Sequence, residues 1–414
     1  MEDKYQNYLK IYLILIVIFS TIWLYIKHQV GNDSTISEWI INYQGGFTRR
    51  GLPGEIAFQI ATFFDVKLRS IILIMQIFFY SLYIYLIYQY FKNVKINAII
   101  LFTIFTPIFL IYHIAEVEVL ARKEIFLFIG YIWFYTIANP KNDLSKSILW
   151  ILFILPIVSI LYEPTIFYYS FFAATIIIRM HNKKLSKIVS TIFVIFLPSL
   201  AISWFSAFSL ITPEGFDMMV KSLSENFGEV CYMSCGLMAT KREPLVHIMD
   251  TINVLTSKDY SIYAYLFRYS MIMIVGFFPL ILLIINASLK NSILTFSKIS
   301  IPFILLNIAV PIHWLMFVDW GRAVNITYVS SVLFFFFLYK NKFIDVNFKN
   351  IEFNVNKTLD FIINKTFIKS KKKLIIFIFI IFAFGWSPPT LLSADVNSFP
   401  GYRIPYKTIK FLFF

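Results

Sequence analysis

Three short stretches and one isolated carboxylate hold most of the side chains in this sequence that could act on an anion. "GGFTRRGLPGE" (45–55) places Arg49 and Arg50 among four glycines, and "YHIAEVEVLARKEIF" (112–126) carries Glu116, Glu118 and Arg122 beside His113, Lys123 and Glu124. "PIHWLMFVDWGRAVN" (311–325) brings Asp319, Trp320 and Arg322, and Glu163 stands alone in "YEPT". Guanidinium is a planar fork that matches phosphate oxygens two at a time, and glycine leaves backbone amides open to a ligand. Arg49, Arg50, Arg122 and Arg322 are therefore candidates for holding a phosphate-bearing group, with Glu163 and Trp320 beside them. Asp319, then Glu118 or Glu116, are candidates for accepting a proton from a hydroxyl. Each stretch also has a purely structural reading. The glycines can serve packing, Glu118 and Arg122 stand four apart and can pair on a helix face, and Asp319 can pair with Arg322 while Trp314 and Trp320 lie at a lipid interface.

The elements that must position these groups are helices in lipid. The chain has 414 residues, 59% of them hydrophobic and 14% charged, with a mean hydropathy of +0.73, and no ordinary soluble domain has that composition. A hydrocarbon core of about 30 Å takes about 20 apolar residues to cross as helix. Runs such as "IYLILIVIFSTIWLYI" show none of the alternation of a membrane β-barrel. The hydropathy predicts an all-α polytopic transmembrane bundle, residues 1–414 as one membrane domain, with about eleven spans. They fall near 9–26, 70–91, 96–112, 125–139, 147–162, 165–180, 188–208, 264–287, 299–315, 325–339 and 373–388. The first follows Lys4 and Lys10 but lacks a cleavage site, so it is expected to be a retained anchor.

Charge sets the orientation. With the N-terminus cytoplasmic, the inner loops collect Lys92, Lys95, Lys141, Lys146, Lys183, Lys184, Lys187, Lys290, Lys298 and the run "KSKKK", which is the positive-inside pattern. Arginine does the reverse: of Arg49, Arg50, Arg69, Arg122, Arg179, Arg242, Arg268, Arg322 and Arg403, Arg179 alone falls inside. The net charge of +14 thus belongs to membrane topology and not to nucleic acid. Two loops are long. The outer loop 209–263 shows helical periodicity in "FDMMVKSLSENF" and "PLVHIMDTINVL", which predicts short helices over the bundle mouth. The inner segment 340–372, with Val355, Leu359, Ile362, Ile363 and Phe367 among lysines, reads as an amphipathic helix on the cytoplasmic leaflet. Cys231 and Cys235, in "CYMSC", fit no metal signature, and either a disulfide or two thiols is compatible with the spacing.

With about eleven spans, arginine-rich outer loops and one large outer loop late in the chain, the sequence resembles the bacterial O-antigen and capsule repeat-unit polymerases of the Wzy type. The resemblance covers the whole chain in layout and few specific motifs. It implies an inner-membrane glycosyltransferase with a periplasmic active face that joins oligosaccharide units carried on undecaprenyl diphosphate, without metal or cofactor. Its partners would be that lipid-linked oligosaccharide, membrane lipid and optionally a chain-length regulator protein. Trp320 and Tyr162 could then stack on sugar rings. "HIMDTINVLTSKDYS" does not reproduce the His-containing motif of the related O-antigen ligases. Three rivals stand beside this reading. A GT-C type glycosyltransferase using a polyprenyl-phosphate donor would place a carboxylate in the first outer loop, where Asp33 and Glu38 occur. A lipid-linked sugar transporter would place charges near mid-membrane. A non-catalytic assembly partner would need neither.

Overall fold

The computed structural model describes residues 2–30, 34–239, 244–257, 262–293, 296–365 and 370–390, so Asp33, Arg242, Phe367 and Arg403 lie outside the described residues. Among the described residues six helices are long and apolar enough to cross a membrane: Tyr5–Gln29, Leu68–Phe91, Leu144–Leu161, Leu185–Phe208, Tyr265–Ile285 and Trp320–Lys340. Ile125–Ile137, Leu245–Thr256 and Ser300–Leu315 are shorter apolar helical stretches. Helices with such faces suit lipid. Leu185–Phe208, for example, leaves Val189, Phe193, Leu197, Trp204 and Phe208 exposed along its length.

Several of the eleven predicted spans are broken helices. The stretch 96–112 is helical over Ala98–Ile104 and then turns, because Pro107 offers no amide and biases Thr106 away from helical backbone. Non-helical backbone at this depth needs partners within the protein. Asn325 supplies them, its Nδ2 donating to the carbonyls of Ile108 at 2.9 Å and Phe109 at 3.1 Å, while Thr106 Oγ1 donates to Gly276 O. The stretch 165–180 opens as a 3-10 turn, Glu163–Tyr168, before the helix Tyr169–Arg179, and 299–315 divides into Ser300–Leu306 and Val310–Leu315.

The helix Trp320–Lys340 is the axis of the bundle. Every residue from Trp320 to Leu338 is buried, and Phe334 to Phe337 pack against Phe303, Phe171, Tyr135 and Phe91. It is also the least apolar of the six, carrying Arg322, Asn325, Thr327, Ser330 and Ser331. A helix enclosed by protein can bear such groups where one facing lipid cannot.

At the end of the bundle beyond Lys340 lies an element the hydropathy did not predict. Ala287–Ile293, Phe296–Lys298 and Ile344–Val346 form a three-stranded antiparallel sheet with Ala287–Ile293 in the middle. The polar pattern "ASLKNS" is too short and too weakly apolar to signal a strand by itself. The amphipathic helix follows at Phe348–Lys365, with Ile351 and Leu359 buried and Phe353 and Phe361 exposed. At the opposite end, helices cover Pro213–Phe227 and Pro244–Thr256, and Cys231 and Cys235 are joined in a disulfide.

The first long connection, 30–67, contains a further helix, Leu52–Phe64, begun by Pro53 in its first turn. Gly54 lets this helix lie directly on the preceding strand of loop, since a Cβ there would stand 1.9 Å from Ile41 O and 2.4 Å from Trp39 O. Gly54→Ala is expected to destabilise the protein by about 1–3 kcal/mol through this backbone clash. The check is thermal unfolding of the purified protein in detergent; an unshifted transition would contradict the packing.

Candidate functional site

Glu38 is the residue on which the site is built. It follows the buried one-turn helix Ser34–Ser37 and precedes Trp39, whose indole donates to Ala121 O at 3.0 Å, so the loop is tied to the segment 116–124. The Glu38 side chain is wholly buried. Arg50 Nη1 reaches its Oε1 at 3.0 Å, Arg122 Nε its Oε2 at 3.0 Å, and Arg322 Nη2 stands 3.7 Å from Oε1. Three cations from distant parts of the chain therefore share one carboxylate. Burial pushes the Glu38 carboxyl up, but Arg122, Arg322, Arg50 and Lys123 together hold it well below the usual carboxylate range.

The remaining bonds of the same arginines extend the cluster. Arg322 lies in the first turn of the axial helix, the positive end of its dipole, and is compensated by Glu124, which receives Nε at 2.8 Å and Nη2 at 2.5 Å. Arg50 Nε donates to both oxygens of Glu163 at 2.8 Å. Burial raises Glu163, and the guanidinium of Arg50, with Arg49 behind it, more than reverses this. Arg50 itself stays charged because Glu163 and Glu38 outweigh its desolvation. Arg50 and Arg322 both lie over the ring of Tyr162, at 5.6 and 5.9 Å from its centroid. Arg122 reaches a third segment through Nη2, which donates to Ser234 Oγ at 3.3 Å, and a fourth through Nη1, 3.7 Å from Asp319 Oδ2.

The backbone around the cluster is bent to make this convergence. Arg50 (φ 61°) and Ala121 (φ 51°) occupy the left-handed region, unusual for residues with a Cβ. The bend at Arg50 turns its carbonyl toward Lys123, whose fully buried Nζ donates to it. In the glycine run, Gly45 packs against Gly215 of the helix Pro213–Phe227, where added Cβ atoms would meet the facing carbonyls at 1.7 and 2.3 Å. Gly45 and Gly54 thus admit backbone against backbone, as the packing reading of "GGFTRRGLPGE" has it, whereas Gly46, at φ 103°, has open space around it.

Of the residues singled out in the sequence, the structure thus brings together Arg50, Arg122, Arg322, Glu163 and Asp319. Arg49 adjoins them, its Nη2 donating to His247 Nε2 at 2.8 Å, and it borders a small cavity of about 10 Å³ with Thr48, Ser209 and Met238. Glu116 is buried nearby and accepts from the amide and hydroxyl of Thr390, both at 3.3 Å. Glu118 stands apart. The expected Glu118–Arg122 helix pair does not form, because Val117–Val119 is a 3-10 turn and Ala121 breaks the helix; Glu118 instead meets Lys27 at 2.5 Å and the Ser34 hydroxyl. The local Asp319–Arg322 pair is likewise replaced by Arg122–Asp319 and Arg322–Glu124. Trp320 and Tyr162 are buried, Trp320 donating to Trp314 O at 2.9 Å and packing on Tyr265 and Tyr269, so neither ring offers a face for stacking a sugar.

Other members were not assigned a role in this site from the sequence. Lys123 and Glu124 were visible only as charges near a membrane boundary, and Glu38 only as a first-loop carboxylate. Nothing in the composition of "WSPPT" signalled that Trp386 to Thr390 fold back into the bundle, where Tyr112 Oη meets Thr390 Oγ1 and Tyr269 Oη donates to the carbonyls of Pro389 and Thr390.

The four cations Arg50, Arg122, Lys123 and Arg322 face four carboxylates, Glu38, Glu124, Glu163 and Asp319. Exposure divides them into layers. Glu38, Glu124, Arg122 and Arg322 are closed off, whereas the side chains of Arg50 and Asp319 keep 23% and 22% of their surface. Asp319 also has the loosest ionic bond of the four carboxylates. The inner layer holds Arg50 through Glu38 and Glu163, and Asp319 through Arg122, so that a guanidinium and a carboxylate of the cluster stay part-exposed. The chain matches no protein-family model, no curated protein and no solved structure.

Lys123 gives the cluster a pH dependence. Burial lowers its ammonium from 10.5 to about 7, against the opposing pull of Glu38. Between about pH 7 and 10.5 the unfolded chain therefore holds a proton that the folded protein lacks, and this group makes stability rise with pH across that window and contribute no slope below it. Lys123→Met is expected to flatten the melting temperature against pH between those values. Parallel profiles for the variant and the parent would contradict the assignment.

Proposed function

We propose that this protein is a glycosyltransferase that polymerises oligosaccharide repeat units carried on undecaprenyl diphosphate, as in O-antigen or capsule synthesis. The observation that carries the reading is the convergence of Arg50, Arg122 and Arg322 on one buried carboxylate beside Asp319. In this reading the chain crosses the bacterial inner membrane about eleven times, the shorter and broken helices completing the spans, with the N-terminus cytoplasmic and the cluster on the periplasmic face. The hydroxyl of one repeat unit attacks the anomeric carbon of the other as the bond to diphosphate breaks. Asp319 accepts the hydroxyl proton. Arg50 and Arg49 receive the charge that gathers on the leaving diphosphate, with Arg122 and Arg322 fixed behind them so that the field needs no rearrangement at the moment of reaction. Loss of the negative charge on Asp319 as it takes the proton makes the cluster one unit more positive, which favours the departing anion. A bulky lipid-linked substrate requires the Pro244–Thr256 helix, held to Arg49 by His247, to move aside. A chain-length regulator would act on this same face.

A second reading has one observation in its favour. Glu38, a first-loop carboxylate, sits at the centre of the cluster, where a GT-C enzyme using a polyprenyl-phosphate donor would need an acid. The two differ in product. Deleting the gene in its bacterium and resolving lipopolysaccharide on a gel should leave one repeat unit per lipid core. An unchanged ladder with altered sugar content would favour the single-sugar enzyme, and total loss of repeat units would favour a transporter. Complementation with Asp319→Asn is expected to restore less than about one hundredth of polymer synthesis, the usual scale for a lost general base. Glu118→Gln, outside the ion pairs of the cluster, is expected to restore the ladder; restoration by both would remove Asp319 from the mechanism.

A further inference from the structure

The outer turn that reaches the cluster is closed by the disulfide. Cys231 precedes, and Cys235 lies within, a four-residue helix, Met233–Gly236, that packs against the Ser34–Ser37 turn leading into Glu38. Met233 is held at φ 45°, in the left-handed region, and its side chain is exposed, so no packing of its own keeps it there. Cys235 is wholly buried, which anchors one end of the turn. The effect of this geometry is local: Ser234 is turned inward with its Oγ 3.3 Å from Arg122 Nη2, and four positions on Met238 Sδ lies 3.6 Å from Thr48 Oγ1, next to Arg49. Arg122 has one bond each to Glu38 and Ser234 and a looser contact with Asp319, so the turn fixes the guanidinium that joins the inner carboxylate to the outer one.

We propose that the Cys231–Cys235 bridge is a redox-held clamp, with Ser234 as a positioning residue, that completes the cluster around Arg122 only on the oxidising side of the membrane. The clamp's role in substrate binding rests on the proposed reading of the cluster; its role in ordering Arg122 does not. Formation joins the two Sγ atoms with loss of two thiol protons and two electrons, which pass to a disulfide-bearing oxidant that is itself reduced to two thiols. A dithiol reverses the step. Disulfides persist in secreted and periplasmic compartments and not in the cytosol, so the clamp makes assembly of the site follow insertion in the proposed orientation.

The test uses the full chain in detergent micelles, before and after dithiothreitol, with the bridge state read by maleimide labelling. Hydrogen exchange followed by mass spectrometry reports the clamp without reference to activity. Reduction is expected to speed exchange about tenfold not only at 231–239 but also at 34–38 and 119–124, the scale of one lost hydrogen bond. Ser234→Ala should loosen 34–38 and 119–124 with the bridge intact, and Ser234→Thr, which keeps the hydroxyl, should not. Cys231→Ser with Cys235→Ser should resemble the reduced protein and no longer respond to dithiothreitol. If reduction loosens 231–239 alone, the clamp is overturned. Binding of undecaprenyl diphosphate, followed by tryptophan fluorescence, is the second measurement. It should weaken about tenfold on reduction and in Ser234→Ala. If no form binds the diphosphate, the substrate reading fails while the exchange data still decide the clamp.

Discussion

A single buried carboxylate among three guanidinium groups organises this end of the molecule. Two charges removed from water cost several kcal/mol each unless their partners are well placed, and a lone Arg122 or Arg322 at this depth would be prohibitive. Glu38 meets that requirement for Arg122, and shares it with Glu124 for Arg322 and with Glu163 for Arg50. Because its partners come from residues 50, 122 and 322, the requirement to satisfy it ties the first long connection, the mid-chain turn and the start of the axial helix into one unit. Other features follow from the same constraint: the left-handed residues at Arg50 and Ala121, the glycine contacts that let backbones close in, and the pairing of Arg322 with Glu124 at a helix N-terminus.

In the proposed function, this arrangement separates support from chemistry. The closed inner ion pairs are not a ligand site in themselves, since their forks are filled by carboxylates. They act as a fixed base on which Arg50 and Asp319 are presented at the surface. Preorganised charge of this kind is the usual source of transition-state stabilisation where a leaving group develops negative charge, and it requires the supporting groups to be rigid. The turn at Ser234 fits the same logic from the outside, reaching the one arginine that links Glu38 to Asp319.

Much of the helical content was legible in the sequence, because apolar runs of spanning length have few alternatives. The breaks were not. Pro107 and the interruption between Ser300–Leu306 and Val310–Leu315 lie within runs whose hydropathy is continuous, and only the burial of Asn325 against Ile108 and Phe109 shows how the bent backbone after Pro107 is satisfied. The contrast between lysine in one set of loops and arginine in the other did single out the three arginines, Arg50, Arg122 and Arg322, that meet at Glu38. Which arginine meets which carboxylate was beyond the sequence: spacing of four favoured Glu118 with Arg122, but that rule presumes a helix, and the chain there turns through 3-10 and left-handed backbone. Glu38 was visible as a first-loop acid and its centrality was not, because partners 84 and 12 residues away leave no local pattern. The inward fold of Trp386 to Thr390 was hidden for the same reason.

The most direct measurement is a double-mutant cycle between Glu38 and Arg122, read by reversible unfolding of the full chain in detergent. If Glu38 is the hub, Glu38→Gln and Arg122→Gln should each cost about 3–5 kcal/mol, and the double variant should cost far less than their sum, because each single change takes away the other's nearest opposite charge. Costs that simply add would mean that the two side chains are neighbours without dependence, and the account of one carboxylate assembling the cluster would be wrong.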